Sequence, residues 1–414
     1  MSDTTSEVYD RLTGAEDAPE VEARNGLRHM LSLSMNKVAD GLIDPKLVLS
    51  WLANALGVPA AVVSSFVPIR EAGALLPQIL LAGRVEALRH RKWAWVTSVV
   101  GQGIGAALIA LAALTLDGMA AGLAIAAALA LLAISRSLGS VSYKDILGKT
   151  VAKTRRGAVT GVAGSVASFA VLVFALVLIF GTGQAQGPVV IAIGLAAVLW
   201  LGAGAVFSTL EEKASDPDPE APGIDLTPLK TDPQFRQFIY ARGALTVTAL
   251  APPYFVLLGG GQDALSGLGA LLLASSAAAF VSSYVWGRLS DRSSRLVLAL
   301  SGFVAAGFMA LAVVLEVMGL ASGYVIPVVL FGLMVAYHGV RQGRSIYLVD
   351  MSPEDARSSY AALANTLIGV LLLAVGALGG VLSAFGPVVA LSGFAALSVC
   401  GGLLALGLDE VEEG

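Results

Sequence analysis

Apolar runs long enough to cross a bilayer follow one another along this chain, and Lys and Arg gather only in every second connection between them. A transmembrane helix needs about 20 mostly apolar residues, and twelve stretches meet that length, at roughly 33–56, 59–83, 93–114, 118–141, 158–181, 187–209, 236–258, 264–287, 296–317, 323–346, 358–383 and 386–407. Connections after even-numbered spans carry Arg84, Arg89, Arg91 and Lys92, then Lys149, Lys153, Arg155 and Arg156, then Lys213 and Lys230, then Arg288, Arg292 and Arg295, and finally Arg357. Connections after odd-numbered spans hold no Lys or Arg; Asp117, Asp263 and Glu316 are their main charges. Cytoplasmic loops retain Lys and Arg while short exported loops lose them. An even number of spans therefore puts both termini in the cytoplasm. The expected class is all-α, a polytopic protein crossing a cell inner (plasma) membrane many times.

Composition agrees and narrows the function classes. Only 14% of residues are charged, 56% are hydrophobic and the mean hydropathy is +0.79, whereas soluble chains carry about 25% charged residues. The formal net charge of −4 reflects acids crowded into the tails and the central linker. No basic stripe interleaved with aromatics points to nucleic acid. The lone Cys400 rules out an internal disulfide and a Cys-based metal site, and three histidines without a Cys cluster do not suggest a metal. No cofactor is expected. No Gly-x-x-x-x-Gly-Lys-Ser/Thr loop is present, and the connections are too short for a catalytic domain, so an enzyme is not expected. The first residues are polar and acidic without an apolar core, so the first span itself is expected to direct insertion.

The chain divides in two. A Pro- and acid-rich stretch around 211–234 reads as a solvated linker. It separates a polar tail (1–30) and a first six-helix bundle (31–210) from a second bundle (235–407) and an acidic tail (408–414). Gly83-Arg84-Val85 matches Gly287-Arg288-Leu289 at an offset of 204, which Tyr143 and Tyr347 share. Arg136 with Arg341, and Asp145 with Asp350, match at 205. Arg156 and Arg357 are offset by 201, which needs a short deletion. A duplicated six-span unit is a signature of secondary transporters.

At this point the residues carry a resemblance. Gly287-Arg288-Leu289-Ser290-Asp291-Arg292-Ser293-Ser294-Arg295 resembles the Gly-x-Leu-x-Asp-Arg-x-Gly-Arg loop of the major facilitator superfamily, with Ser294 in place of the second Gly. The copy in the first half, around Gly83, Arg84 and Glu86, is degenerate, with Glu86 at the acidic position and the spacing slipped by one. The resemblance implies two pseudo-symmetric six-helix halves. It also implies that Asp291 and Arg292, with Arg295, help lock the cytoplasmic side in one conformation; a topogenic positive loop with a tight Gly turn is the plainer reading. Arg136, Asp145 and Asp350, near the cytoplasmic boundary, read as gate contacts between helices. The fifth span lacks the Gly-Pro pair of many antiporters of that family, which puts a drug/proton antiporter in doubt.

Ionisable side chains at bilayer depth cost several kcal/mol unless paired or wetted, so each is a candidate for solute binding or ion coupling. The first span holds Lys37, Asp40, Asp44 and Lys46, with Pro45 breaking the hydrogen-bond ladder between the last two. Lys37 and Asp40 lie in the cytoplasm instead if that span begins later. The second span carries Arg70-Glu71, with Gln78 about two turns on; a structural ion pair is the rival reading for Arg70 and Glu71. The seventh offers Tyr240, Arg242 and the kinking pair Pro252-Pro253, and the tenth offers Tyr337, His338, Arg341 and Arg344. Arg344 reads as a side chain snorkelling to the interface, and His338 as either a functional or a simply buried imidazole. Gly101-x-x-x-Gly105, Gly157-x-x-x-Gly161 and Gly376-x-x-x-Gly380 signal close helix packing.

The expected function is secondary active transport of a small solute by alternating access, with Asp44 and Glu71 as proton-coupling candidates and a positive cavity suited to an anionic or zwitterionic solute. The rival is a non-transporting sensor or assembly factor of the same architecture. The expected partners are the lipid bilayer, the solute and protons, with the chain a monomer.

Overall fold

Helix is the only regular secondary structure among the described residues, as apolar runs in lipid require, since a helix satisfies its own backbone polar groups. The computed structural model describes residues 2–14, 18–180, 186–215, 226–258, 265–290, 292–321, 323–353 and 356–411. The helices of the first half are α1 (Ser2–Thr13), α2 (Glu20–Leu42), α3 (Val48–Ala55), α4 (Ala60–Val63), α5 (Phe66–Leu75), α6 (Gln78–Glu86), α7 (Lys92–Thr115), α8 (Gly118–Thr150), α9 (Arg156–Phe180) and α10 (Gly187–Ser208). The second half has α11 (Thr227–Thr231), α12 (Pro233–Ala244), α13 (Val247–Leu250), α14 (Pro252–Leu257), α15 (Leu265–Ser290), α16 (Ser294–Val317), α17 (Val325–Met351), α18 (Arg357–Ser383) and α19 (Pro387–Leu406).

Among the described residues, eight of these helices, α7 to α10 and α16 to α19, are long and apolar enough to cross a bilayer. The other four spans are α15 and three broken rods: α2 with α3, α4 to α6, and α12 to α14. Prolines mark the breaks. Pro45 lies between α2 and α3, Pro59 and Pro77 precede α4 and α6, and Pro252-Pro253 open α14. Between α2 and α3 the Asp44 carboxylate accepts the backbone N–H of Lys46 (2.7 Å) and of Leu47 (3.2 Å). The carbonyl of Pro45 accepts the Ser50 hydroxyl at 2.8 Å. The backbone polar groups freed by the break are thus partly recaptured.

The structure adds detail at the first residues and corrects one glycine pair. Within the segment expected as a polar tail, α1 is helical and α2 begins at Glu20, well before the expected start of the first span, and α1 packs on α2. Tyr9 seats α1 on α2: it is fully buried against Gly26, where a Cβ would meet the ring at 2.1 Å. Gly157 and Gly161 face open space, so this pair makes no close helix contact. The other two pairs do: Gly101 and Gly105 press on Ser135 and Leu132, and Gly376 and Gly380 on Pro68 and Ser64.

The packing repeats itself between the halves. In the first, span three packs on four and six, one on six and five, and two on four. In the second, nine packs on ten and twelve, seven on twelve and eleven, and eight on ten. The halves meet through spans two and eleven (α5 on α18) and five and eight (α9 on α15), an interface that maps onto itself under the same exchange. The described ends of the chain border the described ends of the linker, Asn25 and Arg28 meeting Glu211 and Asp409 meeting Gln234, and this side of the bundle is called the terminal face.

Candidate functional site in the central cleft

The breaks in spans one and two bring opposite charges together deep in the first half. Arg70 Nη2 lies 2.7 Å from Asp40 Oδ1, and Arg136, from α8, pairs with both oxygens of the same carboxylate. The adjacent Glu71 accepts Lys46 Nζ at 3.3 Å. Lys37 donates to the Thr160 carbonyl at 3.2 Å. Two carboxylates are thus embraced by three paired cations, the arrangement buried charge requires.

Across the cleft, α17 answers with aromatic and basic groups. Lys46 Nζ stands 5.0 Å from the centroid of the Tyr337 ring, and Arg341 is 5.9 Å from the same ring, within cation–π range. His338 meets Tyr337 edge-on at 5.2 Å. His338, Arg341 and Arg344 line a cavity of about 510 Å³ with Ser282 and Gln342. Arg242, on α12, is only 5% exposed; its Nη2 donates to Asn365 Oδ1 at 3.2 Å and its Nε has no partner among the described residues.

The inter-half contacts at small residues lie away from the terminal face. Gly380 meets Ser64, Gly376 meets Pro68, and Gly269 meets the Ala175 carbonyl and Ile179. Toward the terminal face they reach Gly369 on Leu76. The cleft with its charged lining therefore opens on the terminal side of this seal. A larger cavity of about 900 Å³, lined by residues such as Glu22, Lys92, Lys149 and Glu212, lies within the first half alone at the terminal face. It borders none of the clustered residues Asp40, Lys46, Glu71, Tyr337 or Arg341.

The candidates read from sequence fall into three groups. Asp40, Lys46, Arg70, Glu71, Tyr337, His338 and Arg341 come together around the cleft, with Arg242 buried behind. Asp44 instead caps the break in span one, and Gln78 returns a hydrogen bond to the Ala74 carbonyl (2.7 Å). Tyr240 is 62% exposed and sits about 200° around α12 from Arg242, so it faces away from it. Arg136, expected at a gate, is in the Asp40 cluster instead, because the long α8 carries it inward. Arg344, expected to snorkel, lines the cavity. Asn365 and the role of Arg344 were not singled out by sequence; the three-residue spacing His338, Arg341, Arg344 is the signal that held the latter.

The gate candidates brace each half separately. Arg91 pairs with Asp145 at 2.9 Å, beside Lys149 on the same carboxylate. Glu212 accepts the N–H groups of Arg91 (3.1 Å) and Lys92 (2.8 Å), capping α7. Arg295 pairs with Glu410 at 3.1 Å and donates to the Leu408 carbonyl at 2.9 Å. Gly83 and Glu86 lie in α6 with Arg84 exposed, Arg292 is exposed, and Asp350 is exposed near the end of α17. Gly287 falls in the last turn of α15, and Asp291 lies outside the described residues.

Two matched six-helix bundles opposed across a charged cleft, with eight helices long and apolar enough to cross a bilayer, define a multi-pass membrane transporter. The model of the Major Facilitator Superfamily matches residues 30–340, and the chain belongs to that superfamily. Solved structures of the same fold include a nucleoside transporter, NupG (14% identity, TM-score 0.67, covering 92% of this chain and 98% of that one). A D-xylose-proton symporter is similar at 11% identity and TM-score 0.69 (94% and 98% covered). A POT family transporter in complex with a thioalcohol-conjugated peptide is similar at 12% identity and TM-score 0.70 (92% and 95% covered). No curated protein matches the sequence.

Proposed function

We propose that the chain is a proton-coupled secondary transporter that moves a small solute by alternating access, with both termini in the cytoplasm of a plasma or inner membrane. The observation that carries it is the ion pair Glu71–Lys46, set in the cleft where Lys46 also touches Tyr337 of the opposite half. In this reading the two bundles, roughly 31–210 and 235–407, rock about the cleft, and the linker 211–234 tethers them. The state described is open toward the terminal face and sealed opposite.

Coupling follows from charge. Protonating Glu71 removes the anion that holds Lys46, freeing the ammonium to bind elsewhere, so proton occupancy and solute occupancy become linked. Among the fold's relatives, one is named a D-xylose-proton symporter, which supports proton coupling as a mode this architecture sustains. Of the two coupling candidates this reading favours Glu71, because Asp44 Oδ1 accepts two backbone N–H groups while Glu71 pairs with Lys46.

The test is counterflow and gradient-driven uptake in proteoliposomes made with purified protein. A solute that accumulates against its gradient when a proton gradient is imposed supports the reading. Glu71→Gln is expected to retain counterflow and lose the response to the proton gradient. Unchanged gradient-driven accumulation by Glu71→Gln removes Glu71 as the coupling group.

A further inference from the structure

The two halves are charge-balanced differently, and Asp40 is the pivotal position. At an offset of 205, Lys37 corresponds to Arg242 and Arg136 to Arg341, so both halves place a basic residue on the equivalent helices. In the first half Asp40 stands between them and neutralises Arg136 and Arg70. The same offset from Asp40 leads to Leu245, which packs against Gly302 and Gly401. The second half gains a further cation at Arg344 and no acid.

The consequence is a basic wall without its own counter-ion. Arg344 stands within electrostatic reach of Arg242, Arg341 and Glu71. Among the described residues, Arg242, Arg341 and Arg344 make no ion pair, and Arg242 is buried with its Nε unsatisfied. The carboxylate in reach, Glu71, belongs to the other half and is held by Lys46. Buried guanidinium groups are stable only when their donors meet an acceptor, and their planar forks suit carboxylate and phosphate oxygens.

We infer that the transported solute is an organic anion whose carboxylate or phosphate group takes, in the second half, the place that Asp40 fills in the first, bound by Arg341 and Arg344 with Arg242 behind them. This rests on the transporter reading and narrows it. It also gives Glu71 a second function: a bound oxyanion at Arg344 lies near its carboxylate, so protonation of Glu71 relieves like-charge repulsion as the solute enters.

The experiment is thermal unfolding of the purified full chain in the presence of lactate, succinate, glycerol 3-phosphate or inorganic phosphate, with glycerol, glucose and choline as uncharged and cationic comparators. A ligand that binds only the folded state raises the Tm. At least one organic oxyanion is expected to raise it, carboxylates and phosphates in separate arms identifying the group, while the comparators do not. Arg341→Gln and Arg242→Gln are each expected to weaken that ligand by about tenfold or more while Lys153→Gln, exposed at the terminal face, does not. Should Arg242→Gln fail to fold, Arg341→Gln, whose side chain is solvent-accessible, decides. A panel in which no organic oxyanion shifts the Tm, or a shift that survives Arg341→Gln, overturns the inference. The two readings fail separately. Oxyanion binding without flux in proteoliposomes strikes the transporter and leaves the anion site, whereas flux of an uncharged solute indifferent to Arg341→Gln strikes the anion site and leaves the transporter.

Discussion

A carboxylate facing two guanidinium groups and a carboxylate capping a turn look alike in a sequence, and Asp40 and Asp44 show how differently they behave. Asp40 is the sole partner of Arg70 and Arg136 among the described residues' ion pairs. Asp40→Ala strands both guanidinium groups, and such a loss costs about 3–5 kcal/mol; a marked fall in Tm of the purified protein is expected. Asp44→Ala removes only a cap, worth about 1 kcal/mol, and is expected to lower the Tm slightly with transport intact. Equal losses in the two variants count against this division of labour. The charged residues of the cleft were legible one by one, because ionisable groups inside apolar runs stand out. Their pairing was not, since it depends on which helices face each other and on how far α8 carries Arg136 inward.

At the scale of elements, the breaks and the close approaches decide what changes are tolerated. Gly376 meets Pro68 so closely that a Cβ would sit 2.2 Å from its ring. Gly376→Val is expected to separate spans two and eleven and abolish flux in a protein that still inserts. Gly157→Ala meets nothing within 4 Å and replaces a poor helix former, a gain of up to about 1 kcal/mol; an unchanged or slightly higher Tm with normal flux is expected. Hydropathy located the spans, and the prolines located their breaks, because both act through the local chain. The helix at 2–13 escaped notice because it is held by one buried ring against a glycine. Burial first, then the Glu22 charge, raises the Tyr9 phenol from 10 up to about 12. The contribution of that anchor is therefore complete below pH about 10 and is lost as pH rises through the folded value. Protease nicking of the N-terminal helix that sets in only at such alkaline pH is the expected sign.

For the whole molecule, the repeat seen as offsets of 204 and 205 returns as five matched helix pairings and a shared interface. That much was readable because duplication preserves spacing. The side on which the cleft opens was not, since hydropathy and repeat spacing do not say at which helix ends the two halves touch. Ser64 Oγ would lie 3.2 Å from a Cβ at Gly380, so Ser64→Cys with Gly380→Cys, in a Cys400→Ser background, is expected to form a disulfide that seals the far face. Flux should stop on oxidation and return with a reductant; flux that persists in the cross-linked protein contradicts rocking about this seam.

Among the described residues, each ion pair, from Arg24–Glu20 to Arg295–Glu410, joins residues of one bundle or of that bundle and its flanking tail or linker, and none crosses between the bundles. The seam itself is made of glycine, alanine, proline and aliphatic contacts. Separating the halves at this seam severs dispersion contacts, together with the Lys46–Tyr337 contact in the cleft, and leaves the ion pairs within each bundle whole. Added electrolyte, which weakens attraction between exposed charges, should scarcely alter how often the molecule swings, whereas filling or trimming one methyl group along the seam should alter it sharply.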